Sequence, residues 1–115
     1  MSKKPFKDRF AYKERYGEAT RIKNKYPDRI PVIVEVRAGV PEMERQKYLV
    51  PKDLTVAQFM CALRKKIKLD QHEALYMFFN STLAQSSAMM GSIYKDHQDS
   101  DQFLYAHLCV ENTFG

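Results

Sequence analysis

An amphipathic helix pattern with strand patterns on both sides most constrains what this chain can fold into. Apolar residues recur over residues 55–68 at offsets of three and four, which is the spacing of one helix face. Thr55 and Gln58 form a capping-box pattern at its start, and cations crowd its last turns, where they complement the helix dipole. The apolar stripe consists of Val56, Phe59, Met60, Leu63 and Ile67. This pattern predicts a helix that crosses between two parts of a sheet.

Four segments around this helix have the composition of strands. Residues 30–36 are rich in β-branched side chains, and residues 47–50 follow a turn region at 38–41, which predicts a hairpin. Residues 75–79 are apolar on both faces, so we predict that this third strand is central. Residues 103–110 form the last predicted strand.

Two helical regions complete the order of elements. Residues 3–29 are basic and repeat apolar residues at helical spacing, and Gly17 is predicted to separate two short helices there. A weaker pattern over residues 89–97 predicts a short helix. The order helices, β, β, α, β, short helix, β predicts an α+β fold of the β-grasp type. It has a four-stranded mixed sheet with a crossover helix, plus two N-terminal helices on the other face.

Length and composition are those of one globular domain. With 115 residues, of which 44% are hydrophobic and 29% charged, the chain can bury a core without disulfides or metals. We predict a single domain over residues 1–115: a helical extension (1–29), a β-grasp core (30–110) and a flexible C-terminal tail (111–115). No apolar run approaches the roughly 20 residues of a membrane span, so a cytoplasmic protein is the expectation.

The cysteines and histidines give no sign of catalysis. Cys61 in a helix pattern and Cys109 in a strand pattern predict two buried, reduced core thiols. The histidines, His72, His97 and His107, lack metal-ligand spacing, and the glycines are isolated rather than grouped in a phosphate-binding loop. We therefore predict that the protein is not an enzyme and has no metal or cofactor site.

The net charge of +5 is unevenly distributed along the chain. Residues 1–37 hold eleven Lys/Arg and five Asp/Glu, whereas residues 69–115 hold one and six. A basic surface attracts acidic peptides, anionic lipids or nucleic acid, and charge alone does not choose between them. The basic N-terminal region has no helix-turn-helix, zinc-finger or RNA-motif signature, so we predict a solvated or protein-binding face and no nucleic-acid partner.

The last residues, 111–115, read Glu-Asn-Thr-Phe-Gly. With no Cβ, Gly115 can enter a narrow catalytic channel. Such a residue suits a carboxylate that is activated, passed to a thiol as a thioester and given to an amine. A frayed chain end explains the same residues. Taken alone, the ending leaves both interpretations open.

Six segments, in order along almost the whole chain, carry a family resemblance. They are YPDRIPVIVE (26–35), KYLVPKDLTVAQF (47–59), RKKIKL (64–69), FFNSTL (78–83), FLY (103–105) and ENTFG (111–115). These segments resemble the autophagy ubiquitin-like modifiers, the group of the GABA-receptor-associated proteins and the light-chain-3 proteins. The resemblance implies a ubiquitin-like β-grasp fold in a protein that is substrate, tag and scaffold rather than enzyme.

The resemblance also implies conjugation to a lipid. In this family a cysteine protease exposes the C-terminal glycine and also removes the lipid. Activating and conjugating enzymes carry the glycine as a thioester, and its carboxyl is joined to phosphatidylethanolamine. By this resemblance Gly115 is the conjugation site, and Phe114 helps the enzymes to recognise the tail. The implied location is the cytoplasm, and the autophagosome membrane after lipidation.

A second implied function is the capture of aromatic-x-x-aliphatic peptides from cargo receptors and adaptors. The hairpin edge around Lys47–Val50 could accept such a peptide as an added strand. The family's aromatic-accepting pocket matches Glu18, Ile22, Pro31, Ile33, Lys47, Leu49 and Phe103. Its aliphatic-accepting pocket matches Tyr48, Val50, Pro51, Leu54, Phe59 and Leu63. A basic rim that favours acidic flanks matches Arg29, Arg45, Lys47 and Lys66.

Departures from the family pattern concern partner preference rather than fold. Ala62 stands where relatives usually have a larger apolar residue, and residues 84–90 lack paired prolines. An alternative function is an unconjugated interaction module in trafficking or on microtubules, acting through the basic N-terminal helices. That alternative predicts sensitivity to charge reversal at Lys23 and Lys25 and none to replacement of Gly115.

Overall fold

The computed structural model describes residues 4–37, 39–70 and 72–112, and these ranges contain four helices and five strands. The helices are α1 (Phe6–Arg9), α2 (Tyr12–Lys25), α3 (Val56–Arg64) and α4 (Met90–His97). The strands are β1 (Arg29–Val36), β2 (Lys47–Pro51), β3 (Glu73–Phe79), β4 (Thr82–Leu83) and β5 (Leu104–Asn112).

The strands form one mixed sheet in the order β2-β1-β5-β3-β4. β1 pairs antiparallel with β2 and parallel with β5, and β5 pairs antiparallel with β3. The predicted α+β β-grasp class is confirmed. The sheet has five strands rather than the predicted four, because Thr82 and Leu83 turn back and pair with Phe79 and Phe78.

The prediction that the third strand is central is wrong. β5 occupies the centre, while β3 pairs with β5 on one side and with only two residues of β4 on the other. Leu75, Met77 and Phe79 are buried, whereas Tyr76 and Phe78 are half-buried. One face of β3 is therefore partly open to solvent, although its residues are apolar on both faces.

Each face of the sheet carries a core. On one face, the main core joins α3 and α4 to the sheet and includes Val32, Val34, Phe59, Leu63 and Tyr94. On the other face, α1 and α2 cover a smaller core, which consists of Phe6, Ala19, Ile22, Ile33, Phe103 and Tyr105. Successive side chains of β1 point to opposite cores. The prediction that the N-terminal helices pack on the other face is confirmed.

Two helix boundaries differ from the predictions. α2 continues through the exposed Gly17, and the break between α1 and α2 lies at Phe10, whose backbone is extended. One glycine costs a helix about 1 kcal/mol, and the burial of Ala19 and Ile22 offsets that cost. α3 ends at Arg64, where the following backbone bonds tighten to spans of three residues. Of the helices in the described ranges, none combines the length and apolar character that crossing a bilayer requires.

β5 continues two residues into the segment predicted to be a flexible tail. Glu111 and Asn112 pair with Ala74 and Glu73, so the backbone remains in the sheet beyond the predicted boundary at residue 110. The strand lengthens because β3 supplies a partner over this stretch. Sequence composition alone contains no signal for that pairing.

The prediction of two buried core thiols is wrong. Cys61 is exposed on α3, and Cys109 is half-buried on β5; both are free thiols. Cys61 lies off the apolar stripe of its helix. Cys109 pairs with Tyr76 on the partly open face of the sheet. An apolar neighbourhood in sequence does not decide which face of an element a residue occupies.

A buried polar cluster ties α2 to the start of β5. Asp101 is fully buried, and its carboxylate accepts hydrogen bonds from Arg15 Nη1 (2.5 Å), the Tyr105 hydroxyl (2.6 Å) and the Phe103 N–H (2.9 Å). The cluster holds Phe103 beneath α2. It thereby shapes the smaller core, which borders the candidate site.

Candidate peptide-binding site

Strand β2 forms one edge of the sheet in the described part of the chain. In an antiparallel pair, positions that are hydrogen-bonded to the neighbour alternate with positions that are not. The Val34 N–H donates to the Gln46 carbonyl at 2.8 Å, which sets the phase of this alternation. The N–H and C=O groups of Lys47 and Leu49 therefore point away from β1, toward the open edge.

Pro51 marks the end of this open edge. It has no N–H to offer, and its carbonyl accepts a hydrogen bond from the Leu54 N–H at 3.2 Å. Lys47 and Leu49 therefore supply four outward backbone groups to an added strand, and the next outward position supplies none. The edge is short and has a defined length.

The predicted aromatic-pocket residues meet on the α2 face of the sheet. Leu49 packs against the smaller core, which contains Ile22 of α2, Ile33 of β1 and Phe103 just before β5. Pro31 is buried directly opposite Leu49 in the β1–β2 register. Ile33 and Phe103 are fully buried, so the structure brings these residues together as the floor of a site rather than as its open walls.

Glu18 bridges α2 and β2 above this floor. Its carboxylate oxygens contact Arg21 Nε at 2.6 Å and Lys47 Nζ at 3.0 Å. These hydrogen bonds, that of Arg21 first, hold the pKa of Glu18 below its usual value. The ionised bridge therefore stabilises the fold above the unfolded-state pKa of Glu18, and this contribution is lost as the pH falls through the lowered folded-state pKa.

A depression of about 610 Å³ opens beside the β2 edge. Its lining consists of Arg21, Ile22, Lys25, Tyr26, Arg29, Arg45, Lys47, Tyr48 and Leu49. Arg21, Lys25 and Tyr26 are absent from the predicted set. Their signal in the sequence is the four-residue spacing of Arg21 with Lys25 and of Ile22 with Tyr26, which places both pairs on neighbouring lines of one helix face.

The predicted aliphatic-pocket residues other than Pro51 meet on the opposite face of β2, in or against the main core. The Tyr48 ring meets the Phe59 ring edge-on at 6.1 Å, and Leu54 packs against the same core. Lys66 Nζ lies 5.6 Å from the centroid of the Tyr48 ring, so this rim cation belongs to the α3 face. Buried members of the set are Val50, Phe59 and Leu63, and half-buried members are Tyr48, Pro51 and Leu54.

The residues of the predicted basic rim do not all lie together. Arg29 and Arg45 line the depression beside β2, whereas Lys66 lies on the α3 face and does not line it. Ala62 is exposed on α3. Over residues 4–37, 39–70 and 72–112, no group of three or more His, Cys, Asp or Glu side chains is arranged to hold a metal ion.

Comparison with known proteins decides the family. The family model described as "Autophagy protein Atg8 ubiquitin like" matches residues 14–115. The chain belongs to the Atg8 family. The resemblance found in the sequence is thereby confirmed, and with it the membership of a ubiquitin-like autophagy family.

Relatives of this Atg8-family chain match it over nearly their whole length. Autophagy-related protein 8d of Arabidopsis thaliana is 48% identical over 117 residues, covering 100% of this chain and 98% of that protein. Autophagy-related protein 8 of Mycosarcoma maydis is 47% identical over 112 residues, covering 96% of this chain and 95% of that protein.

Two solved structures resemble the fold of this Atg8-family chain. Trypanosoma brucei ATG8 superposes with a TM-score of 0.88 at 38% identity, covering 99% of this chain and 100% of that one. Plasmodium falciparum Atg8, in complex with a Plasmodium falciparum Atg3 peptide, superposes with a TM-score of 0.83 at 29% identity. The match covers 93% of this chain and 96% of that one. The ubiquitin-like β-grasp is confirmed by these structures.

The predicted conjugation residues, Phe114 and Gly115, lie outside the described part of this Atg8-family chain. The last described residue, Asn112, extends beyond the end of β1, because Val36 already pairs with Leu108. Pro51 pairs with the first residue of β1 instead. Asn112 therefore lies at the end of the sheet opposite to Pro51.

Proposed function

We propose that this chain is a ubiquitin-like autophagy modifier with two linked activities. It is conjugated through Gly115 to phosphatidylethanolamine, and it captures aromatic-x-x-aliphatic peptides of cargo receptors and adaptors at the β2 edge. The observation that carries the proposal is an open sheet edge with an apolar surface on each face, in a chain whose family match runs to residue 115.

The edge geometry accounts for the spacing of the motif. In an added strand, side chains three positions apart project to opposite faces of the sheet. The aromatic side chain would meet the surface around Ile22 and Leu49, and the aliphatic side chain would meet Tyr48 and Leu54. A motif with one spacer would direct both side chains to the same face and lose one of these contacts.

The charges around the edge favour acidic residues beside the motif. The depression carries the cations Arg21, Lys25, Arg29, Arg45 and Lys47. Arg21 and Lys47 share the carboxylate of Glu18, so the surface remains positive after this bridge is counted. Complementary charge speeds association and selects partners more than it adds affinity.

Conjugation would give the protein a reversible place on the membrane. The Gly115 carboxylate would be adenylated with ATP, which releases pyrophosphate, and then transferred to an enzyme thiol as a thioester, which releases AMP. The lipid amine would then attack the thioester to form an amide while the thiol leaves. Two acyl chains supply the anchoring that stable membrane residence requires. The protein would move from the cytoplasm to the autophagosome membrane, and Phe114 would present the tail to the enzymes.

The proposed partners follow from these two activities. They are activating and conjugating enzymes, a cysteine protease that processes and deconjugates the tail, and receptors with the motif. The complex of Plasmodium falciparum Atg8 with an Atg3 peptide supports peptide capture by a relative and a conjugating enzyme as partner. We propose no nucleic-acid partner, no cofactor and no enzymatic activity for this chain.

Lipidation is tested by reconstitution. The purified chain is incubated with ATP, activating and conjugating enzymes of the family and phosphatidylethanolamine vesicles, and the product is weighed by mass spectrometry. We expect a mass gain of one lipid for the natural sequence and none for Gly115→Ala, because the added Cβ blocks the narrow channel. Lipidation of the variant at the natural rate contradicts conjugation through Gly115.

Strand addition is tested by removing one outward N–H. Leu49→Pro deletes this donor while leaving the β1–β2 hydrogen bonds intact, since proline is tolerated at an edge position. Leu49→Ala is the matched control, which loses the side chain but keeps the N–H. We expect Leu49→Pro to bind an aromatic-x-x-aliphatic peptide about fivefold more weakly than Leu49→Ala, as one hydrogen bond contributes about 1 kcal/mol.

The peptide itself supplies a second control. A peptide shortened to one spacer should bind at least about tenfold more weakly, because one apolar contact is lost. Calorimetric titration measures both comparisons. Equal affinities for the two spacings, or for the proline and alanine variants, contradict binding as an added strand.

One observation favours the alternative of an unconjugated interaction module. Tyr12 and Tyr16 are exposed on the basic helix α2 with their rings 6.0 Å apart, and Phe10 is exposed at the break between α1 and α2. In a cell-based autophagy assay, this alternative expects loss of function for the charge reversals Lys23→Glu and Lys25→Glu and none for Gly115→Ala. Our proposal expects the Gly115→Ala variant to fail.

A further inference from the structure

A second basic depression lies where the α2–β1 junction, the β2–α3 loop and α4 meet. It encloses about 760 Å³. Its lining includes Lys23, Arg29, Lys52, Met89, Tyr94 and Lys95. We call it the α4 depression. Arg29 borders both this depression and the one beside the β2 edge, so the two are neighbours.

The α4 depression has an excess of positive charge. Four cations line it, and Asp53 is the one acidic residue in the lining. In the described part of the chain, the ion pairs involve none of these four cations. The site beside β2 differs, because Glu18 neutralises part of its charge there. An anionic ligand would therefore meet four cations that form no ion pair with a described carboxylate, so no existing pair would have to break.

The fold holds the side chain of Lys23 and the backbone of Lys52 in place. Lys23 Nζ lies 5.2 Å from the centroid of the Tyr94 ring and 3.3 Å from Gln102 Oε1, while the Tyr94 hydroxyl donates to the Gln102 carbonyl at 2.7 Å. The backbone of Lys52 is bound on both sides: its N–H donates to the Asp28 carbonyl at 3.1 Å, and its carbonyl accepts from α4 at 2.9 Å. A frame already ordered before binding lowers the entropic cost of association.

An apolar surface accompanies the charge. Met89 is 47% exposed at the start of α4, and Ile30 and Tyr94 are buried at the floor. A flexible methionine adapts to apolar side chains of different shapes. A ligand that complements the whole depression therefore combines several carboxylates with an apolar side chain, which is a property of an acidic peptide segment.

We propose that the α4 depression is a docking surface for an acidic peptide segment of a partner protein, with an apolar residue of that segment resting on Met89. The carboxylates of the segment pair with Lys23, Arg29, Lys52 and Lys95. This surface is separate from the β2 edge and needs neither strand addition nor lipidation. A partner with both segments could occupy the two depressions together, with Arg29 between them.

The test uses the full chain and a defined probe. The probe is a synthetic peptide with glutamates on both sides of a single leucine and no aromatic residue. Amide NMR titration at low salt should shift residues around Lys52, Met89 and Lys95. The double charge reversal Lys52→Glu/Lys95→Glu should weaken binding about tenfold, because each exposed ion pair contributes modestly, and added salt should weaken it further.

Matched variants separate this surface from its neighbours. Lys65→Glu/Lys68→Glu makes the same change in net charge on exposed residues that do not line the depression, and it should change the affinity less than twofold. Met89→Ala should weaken binding about threefold. Circular dichroism confirms that each variant is folded. An equal loss of affinity in both charge-reversal variants overturns the proposal, because the probe would then sense only net charge.

Two further experiments test whether the probe binds at the β2 edge instead, or whether the α4 depression binds a membrane. If Leu49→Pro abolishes probe binding and Lys52→Glu/Lys95→Glu does not, the peptide binds at the β2 edge and the proposal is wrong. Cosedimentation with phosphatidylserine vesicles tests a membrane: vesicle binding that depends on Lys52 and Lys95, without probe binding, also overturns the proposal. Failure of lipidation or of aromatic-x-x-aliphatic binding leaves this test unaffected.

Discussion

At the scale of single residues, one buried ion pair connects the N-terminal helices to the sheet. Asp101 is fully buried and accepts hydrogen bonds from Arg15 and Tyr105. Burial first, and then the Asp101 carboxylate, raise the pKa of Tyr105 far above its usual value, so its phenol remains a neutral donor. A buried carboxylate is tolerated here because three donors satisfy it.

We expect removal of the Arg15 charge to destabilise the protein strongly. Arg15→Met keeps the bulk of the side chain but leaves a buried carboxylate without its cation, which should lower the free energy of unfolding by about 3 kcal/mol. Urea denaturation measures the change. Lys13→Met, on an exposed position of the same helix, should change it by no more than about 0.5 kcal/mol. A loss below about 1 kcal/mol for Arg15→Met would contradict this account.

At the scale of secondary-structure elements, two glycines in helices have different reasons to be there. A Cβ added to Gly17 in α2 would have no neighbour within 4 Å. A Cβ added to Gly91 in α4 would lie 3.0 Å from the Lys52 carbonyl oxygen and 3.1 Å from its Cβ. The close approach lets the Gly91 N–H donate to that carbonyl and joins α4 to the β2–α3 loop.

The two alanine substitutions should therefore have opposite effects. Gly17→Ala should raise the free energy of unfolding by about 0.5–1 kcal/mol, because alanine is the better helix former and has free space. Gly91→Ala should lower it by about 1–2 kcal/mol, since the new methyl group forces the loop away from α4. Thermal and urea denaturation measure both. Equal stabilisation by the two would show that the approach of Lys52 imposes no constraint.

At the scale of the whole molecule, the sheet separates two cores of unequal size. The smaller core depends on α1 through Phe6, whose ring lies 5.3 Å from that of Phe103 and 5.0 Å from that of Phe10. The Phe6 N–H also donates to Glu35 Oε2 at 2.8 Å. α1 has one helical turn, so these contacts rather than its own helicity hold it in place.

Phe6→Ala should release α1 without unfolding the sheet. We expect hydrogen exchange, followed by mass spectrometry, to lose protection over residues 6–11 while β1 and β5 stay protected. Phe59→Ala in the main core should instead lower the global free energy of unfolding by about 3–5 kcal/mol and reduce protection in every element. Loss of protection in β1 and β5 in the Phe6→Ala variant would mean that the two cores unfold as one.

Much of the fold could be predicted from local patterns. The periodicity of residues 55–68 and the β-branched run at 30–36 specify a helix and a strand, because the direction of each side chain depends on the position of its residue in its own element. The predicted order of elements was confirmed apart from the short strand β4, and so was the placement of the N-terminal helices. Most residues of the two predicted peptide pockets also come together, one set on each face of β2.

The features that local patterns missed all depend on contacts between distant parts of the chain. β5 is central and extends to Asn112 because β1 and β3 pair with it from either side, and Cys61 is exposed because the sheet covers another face of α3. The open edge ends at Pro51 because its carbonyl is taken by Leu54. Side-chain periodicity is a property of each element and can be read along the chain, whereas burial, strand neighbours and site boundaries arise only when elements meet in space.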